Sequence, residues 1–267
     1  MPELPEAEVT TRKLRPLIIG KRILNFNRRI LNIERRGKAI LIHLSGGKIL
    51  GFHQRMTGKL LIVPRGWKDK HTRFAAKLSS GKDLVFHDVR KFGIVWYGEA
   101  KKVMSDQYFK TLGPDALRIS LESFREILKG NNPLNPPYFK GETKIKPFLL
   151  NQKNLAGIGN IMADEILWRA KIYPKREVRS LNRSEVRNLW KSIKFILNRS
   201  IKLGGSSMRD WLHPDGDKGG YFEKRCVYDR EGKKCFRCGR KISRKKIAGR
   251  SSYYCPSCQA LKNKKNK

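Results

Sequence analysis

Two stretches of the chain are predicted to be helices, and the second is predicted from the spacing of its apolar residues. Residues 3–19 form the first, where Pro5 suits the opening turn, acidic residues suit the positive end of the helix dipole and Gly20 suits the end. The second lies in a region, 143–203, that is helical by pattern; it starts near Ser184 and stops at Gly204. We interpret its apolar positions as core: Val186, Leu189, Trp190, Ile193, Ile196, Leu197 and Ile201.

Residues 21–98 have a different pattern, in which short apolar runs alternate with Gly, Ser, Pro and Asp. Several short strands at close spacing are typical of a β-sandwich or barrel. The runs predicted as strands are Ala39–Leu44, Lys48–Phe52, Leu60–Val63, Phe74–Leu78 and Leu84–His87. The Pro- and Asn-rich segment 131–137 is predicted to be an interdomain linker. The glycine-rich segment 204–222 is predicted to be a long functional loop.

The charge balance narrows the choice of partner. Lys and Arg number 60 against 23 Asp and Glu, a formal net charge of +37. Such an excess repels itself unless a polyanion is near, and nucleic acid is the polyanion that we expect. The alternative is a solvated basic surface. We expect no membrane partner, because the chain has no apolar run of about 18 residues or more, and its N-terminus lacks the pattern of a secretory signal.

Four of the five cysteines have the spacing of a zinc site. Cys235, Cys238, Cys255 and Cys258 form C-x2-C-x16-C-x2-C, which predicts one structural Zn²⁺ held by four thiolates. Two disulfides are the alternative, and they fit poorly with the absence of an export signal. The fifth cysteine is predicted to be a small buried residue. Between the pairs, a hairpin with Gly249 at its tip would present Arg250 to a phosphate backbone.

The first residues of the chain, Met1-Pro2-Glu3-Leu4-Pro5-Glu6, suggest a nucleophile. Removal of Met1 would expose the secondary amine of Pro2. The pKa of a terminal amine is about 8, and amines form Schiff bases with carbonyl-like carbons. The alternative is that Pro and Glu are ordinary residues of a helix start.

Five motifs in this order resemble the formamidopyrimidine-DNA glycosylase family: PELPE at the N-terminus, RRGK at 35–38, RKFG at 90–93, AGIGNIMADEILWRAKIYP at 156–174, and the four-cysteine finger. The resemblance implies an α+β multidomain fold. Its parts are an N-terminal helix plus β-sandwich (1–130, catalytic), a helix–two-turns–helix domain with a lesion-recognition loop (131–222), and a zinc-ribbon β-hairpin finger with a basic tail (223–267).

The resemblance also implies the catalytic residues. Pro2 would attack C1′ of a damaged nucleotide, and Glu3 would protonate the sugar ring oxygen. Glu6 would hold the N-terminal helix in place, and Lys38 would contact phosphate and the lesion. The implied reaction is base excision followed by β- and δ-elimination, with double-stranded DNA as partner and no redox or nucleotide cofactor.

The implied DNA contacts lie further along the chain. Met56, Arg90 and Phe92 would fill the gap left by a flipped-out nucleotide. His71 would contact a phosphate; a structural histidine is the alternative. The implied contacts in the fourth motif and the finger are Asn160 at a helix N-terminus, Glu165 as a supporting acid, and Arg250.

Three departures from the family pattern affect lesion contacts. Met162 stands where the family usually has Tyr, Asn151 where Asp is common, and HQRMTG at 53–58 where HLGMSG is frequent. The PELPE start and the segment Gly204–Phe222, with Ser206 and Ser207 as candidate contacts, favour oxidised purines.

Three further expectations concern the kind of protein this is. An endonuclease VIII-like enzyme for oxidised pyrimidines and a non-enzymatic zinc-ribbon nucleic-acid binder are the alternatives to a purine-specific enzyme. We expect a monomer. If the source is prokaryotic, we expect it to be cytoplasmic and nucleoid-associated.

Overall fold

The computed structural model describes residues 2–130, 143–208 and 210–260. The predicted linker at 131–137 and the tail at 262–267 lie outside these ranges. The first helix, α1 (Leu4–Ile18), begins after Glu3 and ends before Gly20, whose φ of +78° suits a helix stop. Its apolar face, which includes Leu14 and Ile18, joins the core of the N-terminal unit.

Two antiparallel sheets follow α1 and confirm the predicted β-sandwich. The five-stranded sheet has the order β1-β2-β3-β4-β8, and the three-stranded sheet has the order β5-β7-β6. One apolar cluster contains residues of both sheets and of α1. The strands are β1 (Arg22–Ile23), β2 (Arg28–Arg36), β3 (Ala39–Leu44), β4 (Lys48–His53), β5 (Lys59–Pro64), β6 (Thr72–Lys77), β7 (Lys82–His87) and β8 (Ile94–Glu99).

All five runs predicted as strands are strands, but the pattern missed the long β2 and the edge strand β8. In β2 only Ile30, Ile33 and Arg35 are buried, and charged side chains fill most of the other positions. In β8 buried positions are absent and half-buried residues alternate with exposed ones. β2 has no apolar run, because it faces solvent along one side. β8 has a short one, Ile94–Tyr97, which was not among the runs predicted as strands.

The second half of the described chain is mainly helical. The long helix α7 (Arg183–Lys202) buries its predicted apolar face around Leu189, Ile193 and Leu197. It ends at Lys202, two residues before the predicted stop at Gly204, where φ is +76°. The other helices are α2 (Ala100–Met104), α3 (Gln107–Lys110), α4 (Leu121–Lys129), α5 (Ile145–Leu150) and α6 (Asn160–Ala170), with short 3₁₀ turns at Leu24–Phe26, Val178–Ser180 and Phe222–Lys224.

A two-stranded hairpin, β9 (Ser243–Ile247) and β10 (Arg250–Tyr254), forms the predicted finger. Its turn consists of Ala248 and Gly249, both with positive φ, as a type I′ hairpin requires.

The chain divides into two compact units, Met1–Lys110 with Arg199–Glu223 and Thr111–Asn198 with Lys224–Lys267. This division into two units does not test the three predicted domains, 1–130, 131–222 and 223–267, which stay predictions. Within the described ranges, no helix has both the length and the apolar character that a membrane span needs.

Candidate active site and zinc centre

The start of α1 buries two carboxyl groups. Glu3 and Glu6 are each 1% exposed, and Pro2 beside them is buried. The backbone N–H of Glu3 donates to Oε2 of Glu6 at 2.7 Å, within a capping box at the first turn. The three predicted residues therefore lie together at one helix end.

Glu6 also contacts the glycine-rich segment 204–222. The backbone N–H of Ser206 donates to Oε1 of Glu6 at 2.7 Å. Burial, followed by the nearby charge of Glu3, raises the pKa of Glu6 to about 7, although the hydrogen bonds from the two N–H donors lower it. The carboxyl group thus titrates in the neutral range and joins the helix start to the loop.

Lys38 lies on a tight turn between β2 and β3. Gly37 has φ +62° at the first central position of this two-residue turn, as a type II′ hairpin requires. Arg35 holds the turn, since its Nη1 donates to the Gly37 carbonyl and its Nε donates to Glu8 on α1, both at 2.8 Å. The turn that carries Lys38 is thereby tied to the helix that begins beside Pro2.

Sequence reasoning missed His53, whose ring is close enough to feel the charge of Lys38. Burial, then the charges of Arg55 and Lys38, lower the pKa of His53 to about 3, so the ring is neutral at physiological pH. Its Nδ1 accepts the backbone N–H of Arg55 at 3.0 Å, and its ring meets Tyr108 edge-on. The hydroxyl of Tyr108 accepts the N–H of Lys38 at 3.2 Å. His53 is the first residue of the HQRMTG motif, and this position was the sequence signal that could have identified it.

The three residues predicted to fill the gap of a flipped nucleotide come together on two loops. Met56 on the β4–β5 loop is 42% exposed, and Phe92 on the β7–β8 loop is 52% exposed. Between them, Nη1 of Arg90 lies 3.4 Å from the sulfur of Met56, and its Cζ lies 4.8 Å from the ring centre of Phe92. Two exposed apolar groups beside a guanidinium can separate bases and pair an orphaned one.

Asp88, which sequence reasoning missed, joins these two loops. It is 1% exposed, and its carboxylate accepts the hydroxyl of Thr57 on one loop and the N–H of Gly93 on the other. A Cβ at Gly93 would overlap the ring of Phe86, so glycine is required there. The exposed trio thus stands on a buried polar support.

His71 is half-buried and lies in a small polar cluster. Its backbone N–H donates to Oδ1 of Asp69 at 2.7 Å, and its ring meets that of His87 edge-on at 5.6 Å. Nε2 of His87 lies 3.1 Å from the same Asp69 oxygen. These contacts leave part of the His71 ring exposed, so both predicted roles stay open.

Asn160 begins α6, as predicted. The N–H of Gly157, where φ is +107°, donates to Oε1 of Gln152 at 2.9 Å and shapes the turn before the helix. Nδ2 of Asn160 donates to the carbonyl of Ser251 on β10 at 3.1 Å. Its Oδ1 is buried and has no hydrogen-bond partner among the described residues. The side chain is therefore partly used in holding the hairpin.

Glu165 is fully buried on α6. Its carboxylate accepts the backbone N–H groups of Cys226, Val227 and Tyr228 at 2.8–2.9 Å. Burial raises the pKa of Glu165 in spite of these donors. The residue anchors the segment that leads into the finger and has no exposed surface of its own.

A buried ion pair next to Glu165 was also missed. Nζ of Lys146 lies 2.6 Å from Oδ1 of Asp164, and both side chains are 0% exposed. The ammonium also donates to the Ser251 carbonyl and the Ser252 hydroxyl, while Asp164 accepts the N–H of Tyr253. Burial raises the pKa of Asp164 to about 7, with Lys146 opposing it. These bonds connect α5 and α6 to β10.

Two of the departures from the family pattern have clear positions. Met162 is fully buried on α6, so its thioether is part of the core. Asn151 ends α5, and its Oδ1 accepts the N–H of Lys153 at 3.0 Å, a bond that an Asp oxygen would also accept.

The four predicted cysteine ligands meet at one point. Their sulfur atoms lie within 4.8 Å of one another, with Cys238 and Cys255 at 3.4 Å and Cys235 and Cys258 at 4.0 Å. Four thiolates around a tetrahedral zinc ion, at about 2.3 Å each, lie about 3.8 Å apart. Burial and the neighbouring thiols raise the pKa of Cys258 to about 12, a penalty that a bound dication removes. The cluster binds one structural zinc ion, and Cys226 is buried outside it.

Arg250 lies at the tip of the hairpin, as predicted. It is exposed and pairs with Ile247 directly beside the Ala248-Gly249 turn. Arg244, opposite Tyr253 in the same hairpin, is also exposed. The zinc ion thus supports a short basic hairpin that has few apolar residues of its own.

Comparison with known proteins agrees with this architecture. Three family models match: the formamidopyrimidine-DNA glycosylase N-terminal domain over residues 26–95, its H2TH domain over 112–211, and the zinc finger found in FPG and IleRS over 232–261. The fold and the sites define the class as a zinc-finger DNA-repair glycosylase.

Full-length relatives identify the family within this class. A formamidopyrimidine-DNA glycosylase of Pelotomaculum thermopropionicum is 38% identical, over 98% of this chain and 100% of the relative. Lactococcus lactis Fpg in complex with abasic-site DNA has a TM-score of 0.85 at 34% identity, covering 97% of this chain and 100% of the other. The same bacterium's Fpg with DNA containing N7-benzyl-Fapy-dG has a TM-score of 0.85 at 35% identity, with the same coverage. The chain belongs to the formamidopyrimidine-DNA glycosylase family and is an enzyme of that family.

Proposed function

We propose that this protein excises oxidised purines from duplex DNA and then cuts the strand at the resulting site. The main support for this proposal is the geometry of the helix start, where Pro2 adjoins two buried carboxyl groups and Glu6 holds the glycine-rich loop. A mobile or misplaced amine would react poorly, because covalent catalysis depends on a held geometry.

The proposed reaction begins with the amine of Pro2, freed by removal of Met1. Its nitrogen bonds to C1′ as the bond from C1′ to the base breaks, and the base leaves with a proton. Glu3 protonates the ring oxygen, so that the sugar opens to an iminium ion. Loss of a C2′ proton expels the 3′ phosphate, and a second elimination expels the 5′ phosphate, leaving a gap of one nucleotide.

The proposed DNA contacts follow from exposure and charge. Lys38, His71 and Arg250 would contact phosphates, and the Met56–Arg90–Phe92 trio would occupy the gap. The N-terminus of α6, which Asn160 begins, would hold a further phosphate through backbone N–H groups. Glu165 would act only by positioning the finger, because its side chain is buried. We propose that the protein acts as a monomer on damaged double-stranded DNA.

Purine specificity is supported by the loop. The Lactococcus lactis protein was solved with DNA containing N7-benzyl-Fapy-dG and also with DNA containing an oxidised pyrimidine, so these structures do not separate the two substrate classes. In the loop, Oγ of Ser206 is buried and has no hydrogen-bond partner among the described residues, so a contact with a lesion would satisfy this hydroxyl. Oγ of Ser207 instead accepts the N–H of Gly219 at 2.8 Å. Of the two candidate serines, Ser206 is the one we assign to lesion contact.

Borohydride trapping tests the nucleophile. Incubation with an 8-oxoguanine duplex and borohydride should give a covalent adduct, and the intact mass should show that Met1 is absent. Pro2→Gly loses the ring that fixes the amine's direction, and we expect at least about tenfold less adduct. Pro5→Ala is the matched control in the same helix turn. Equal trapping by Pro2→Gly, or full activity with Met1 retained, would refute the assignment.

A cleavage panel tests the substrate class. Duplexes with 8-oxoguanine, formamidopyrimidine, thymine glycol and an abasic site would be compared at equal enzyme concentration. We expect the two purine lesions to be cut faster than thymine glycol. The reverse order would favour the endonuclease VIII-like alternative, and salt-sensitive binding without cleavage would favour a non-enzymatic binder.

A further inference from the structure

The glycine-rich segment contains a cluster of possible metal ligands at His213, Asp215 and Asp217. One ligand atom from each residue lies within 4.8 Å of the others. The chain reverses here, since the N–H of His213 donates to the Asp217 carbonyl at 2.9 Å and the N–H of Gly216 donates to the His213 carbonyl at 3.0 Å. The two acids are exposed, whereas His213 is only 5% exposed. The cluster is remote in sequence from the four cysteines.

The ring of His213 is oriented as a metal ligand is. Its Nε2 lies 2.7 Å from the carbonyl oxygen of Gly204. Because a carbonyl can only accept, Nε2 carries the hydrogen and Nδ1 of the neutral ring presents a lone pair. Nδ1 is buried, has no hydrogen-bond partner among the described residues, and lies 4.0 Å from Oδ1 of Asp215. Histidines that bind a metal through one ring nitrogen commonly donate the N–H of the other to a backbone carbonyl. His213 has this arrangement, with its free nitrogen facing the carboxylates.

A positive charge already lies at the cluster. Nζ of Lys13, on α1, is 2.7 Å from Oδ2 of Asp215 and 3.7 Å from Oδ2 of Asp217. The Lys13 side chain is 34% exposed, so it can move into solvent. The cluster is also held from the other side, where the N–H of Ile62 on β5 donates to the Pro214 carbonyl at 2.8 Å. The two carboxylates therefore form a preorganised cation site that an ammonium now shares.

We propose that His213, Asp215 and Asp217 bind a divalent transition-metal ion, which displaces the ammonium of Lys13. One imidazole nitrogen and two carboxylate oxygens suit ions such as Co²⁺, Mn²⁺ or Zn²⁺. The bound ion would fix the 213–217 turn against the Gly204 carbonyl, at the base of the loop. This proposal is independent of the function proposed above.

Equilibrium dialysis of the zinc-loaded full chain against Co²⁺, with analysis of both metals, tests the site. The four thiolates should retain their zinc, because a closed tetrahedral thiolate site favours that ion. We expect one Co²⁺ per chain in addition to zinc. His213→Gln and Asp217→Asn should each weaken cobalt binding by more than about tenfold. Lys13→Met should tighten it by about tenfold, since the competing charge is removed. Asp210→Asn, in the same segment but outside the cluster, should change nothing.

Cobalt binding should weaken in His213→Gln and Asp217→Asn but tighten in Lys13→Met. These opposite effects separate a metal site from a purely structural cluster. No second ion in the native chain, or cobalt that only replaces zinc, would overturn the proposal. So would binding that is unaffected by His213→Gln and Asp217→Asn, or binding that appears only in Lys13→Met. Circular dichroism and thermal unfolding of each variant would show that the fold is retained, and the Asp217→Asn result stands if His213→Gln fails to fold.

Discussion

The buried pair of Lys146 and Asp164 should make a large contribution to stability. Lys146→Met keeps the length of the side chain but leaves the Asp164 carboxylate without its counter-charge at 0% exposure. It also removes the donor to the Ser251 carbonyl at 2.9 Å and the Ser252 hydroxyl at 2.8 Å. Removal of one partner of a buried ion pair costs about 3–5 kcal/mol. We expect the free energy of unfolding to fall by that amount.

Urea unfolding of the zinc-loaded protein measures this loss, and Lys144→Met provides the matched control. Lys144 pairs with Glu177 at 3.4 Å, but both side chains are about one-third exposed, at 32% and 27%. Exposed pairs contribute about 0–1 kcal/mol, so the control should be nearly neutral. The double variant Lys146→Met/Asp164→Leu removes both charges and should recover about 2 kcal/mol or more of the single variant's loss.

The pH dependence gives a second readout of the same pair. Burial raises the pKa of Asp164 to about 7, and loss of the ammonium would raise it further. A raised folded-state pKa means that the protonated form stabilises the fold at low pH, and this stability is lost as pH rises through the folded pKa. Lys146→Met should therefore be less destabilised at pH 5 than at pH 8. Equal losses of unfolding free energy in Lys146→Met and Lys144→Met would refute the reasoning. So would a double variant that is less stable than Lys146→Met.

Four further predictions concern the sites. Because the pKa of Glu6 is raised to about 7, the free energy of unfolding should decline as pH rises from about 4.5 to 7, and Glu6→Gln should flatten that part of the curve, as measured by urea titrations at each pH. Cys238→Ser should release zinc and abolish duplex binding at moderate salt, because the hairpin depends on the ion; retention of both zinc and binding would contradict this. Arg250→Ala should weaken binding to damaged and undamaged duplexes alike and reduce the salt slope by about 1, whereas a loss confined to damaged DNA would point to lesion contact. Phe92→Ala should slow excision by at least about tenfold in single-turnover assays with little change in binding to undamaged DNA, and equal losses in both would show a phosphate-type role.

Local patterns in the sequence determined much of the architecture. The helix over 3–19, the apolar face of α7, five strands and the zinc spacing all depend on residues close together in the chain, where periodicity and turn chemistry act directly. The four-cysteine spacing predicted the finger because two short pairs suffice to hold one ion. The motifs placed Pro2, Lys38 and the exposed trio in a family pattern.

The tertiary structure alone showed how these parts are supported. Glu6 meets Ser206 at a separation of 200 residues, and Lys146 meets Ser252 at a separation of 106. Asp88 joins two loops through a buried carboxylate that no periodicity marks. Such partners are chosen by the packing of distant segments and by the need to satisfy buried polar groups, so a local pattern carries no record of them. For the same reason β2, whose exposed positions are mostly charged, became recognisable as a strand only through its neighbours in the sheet.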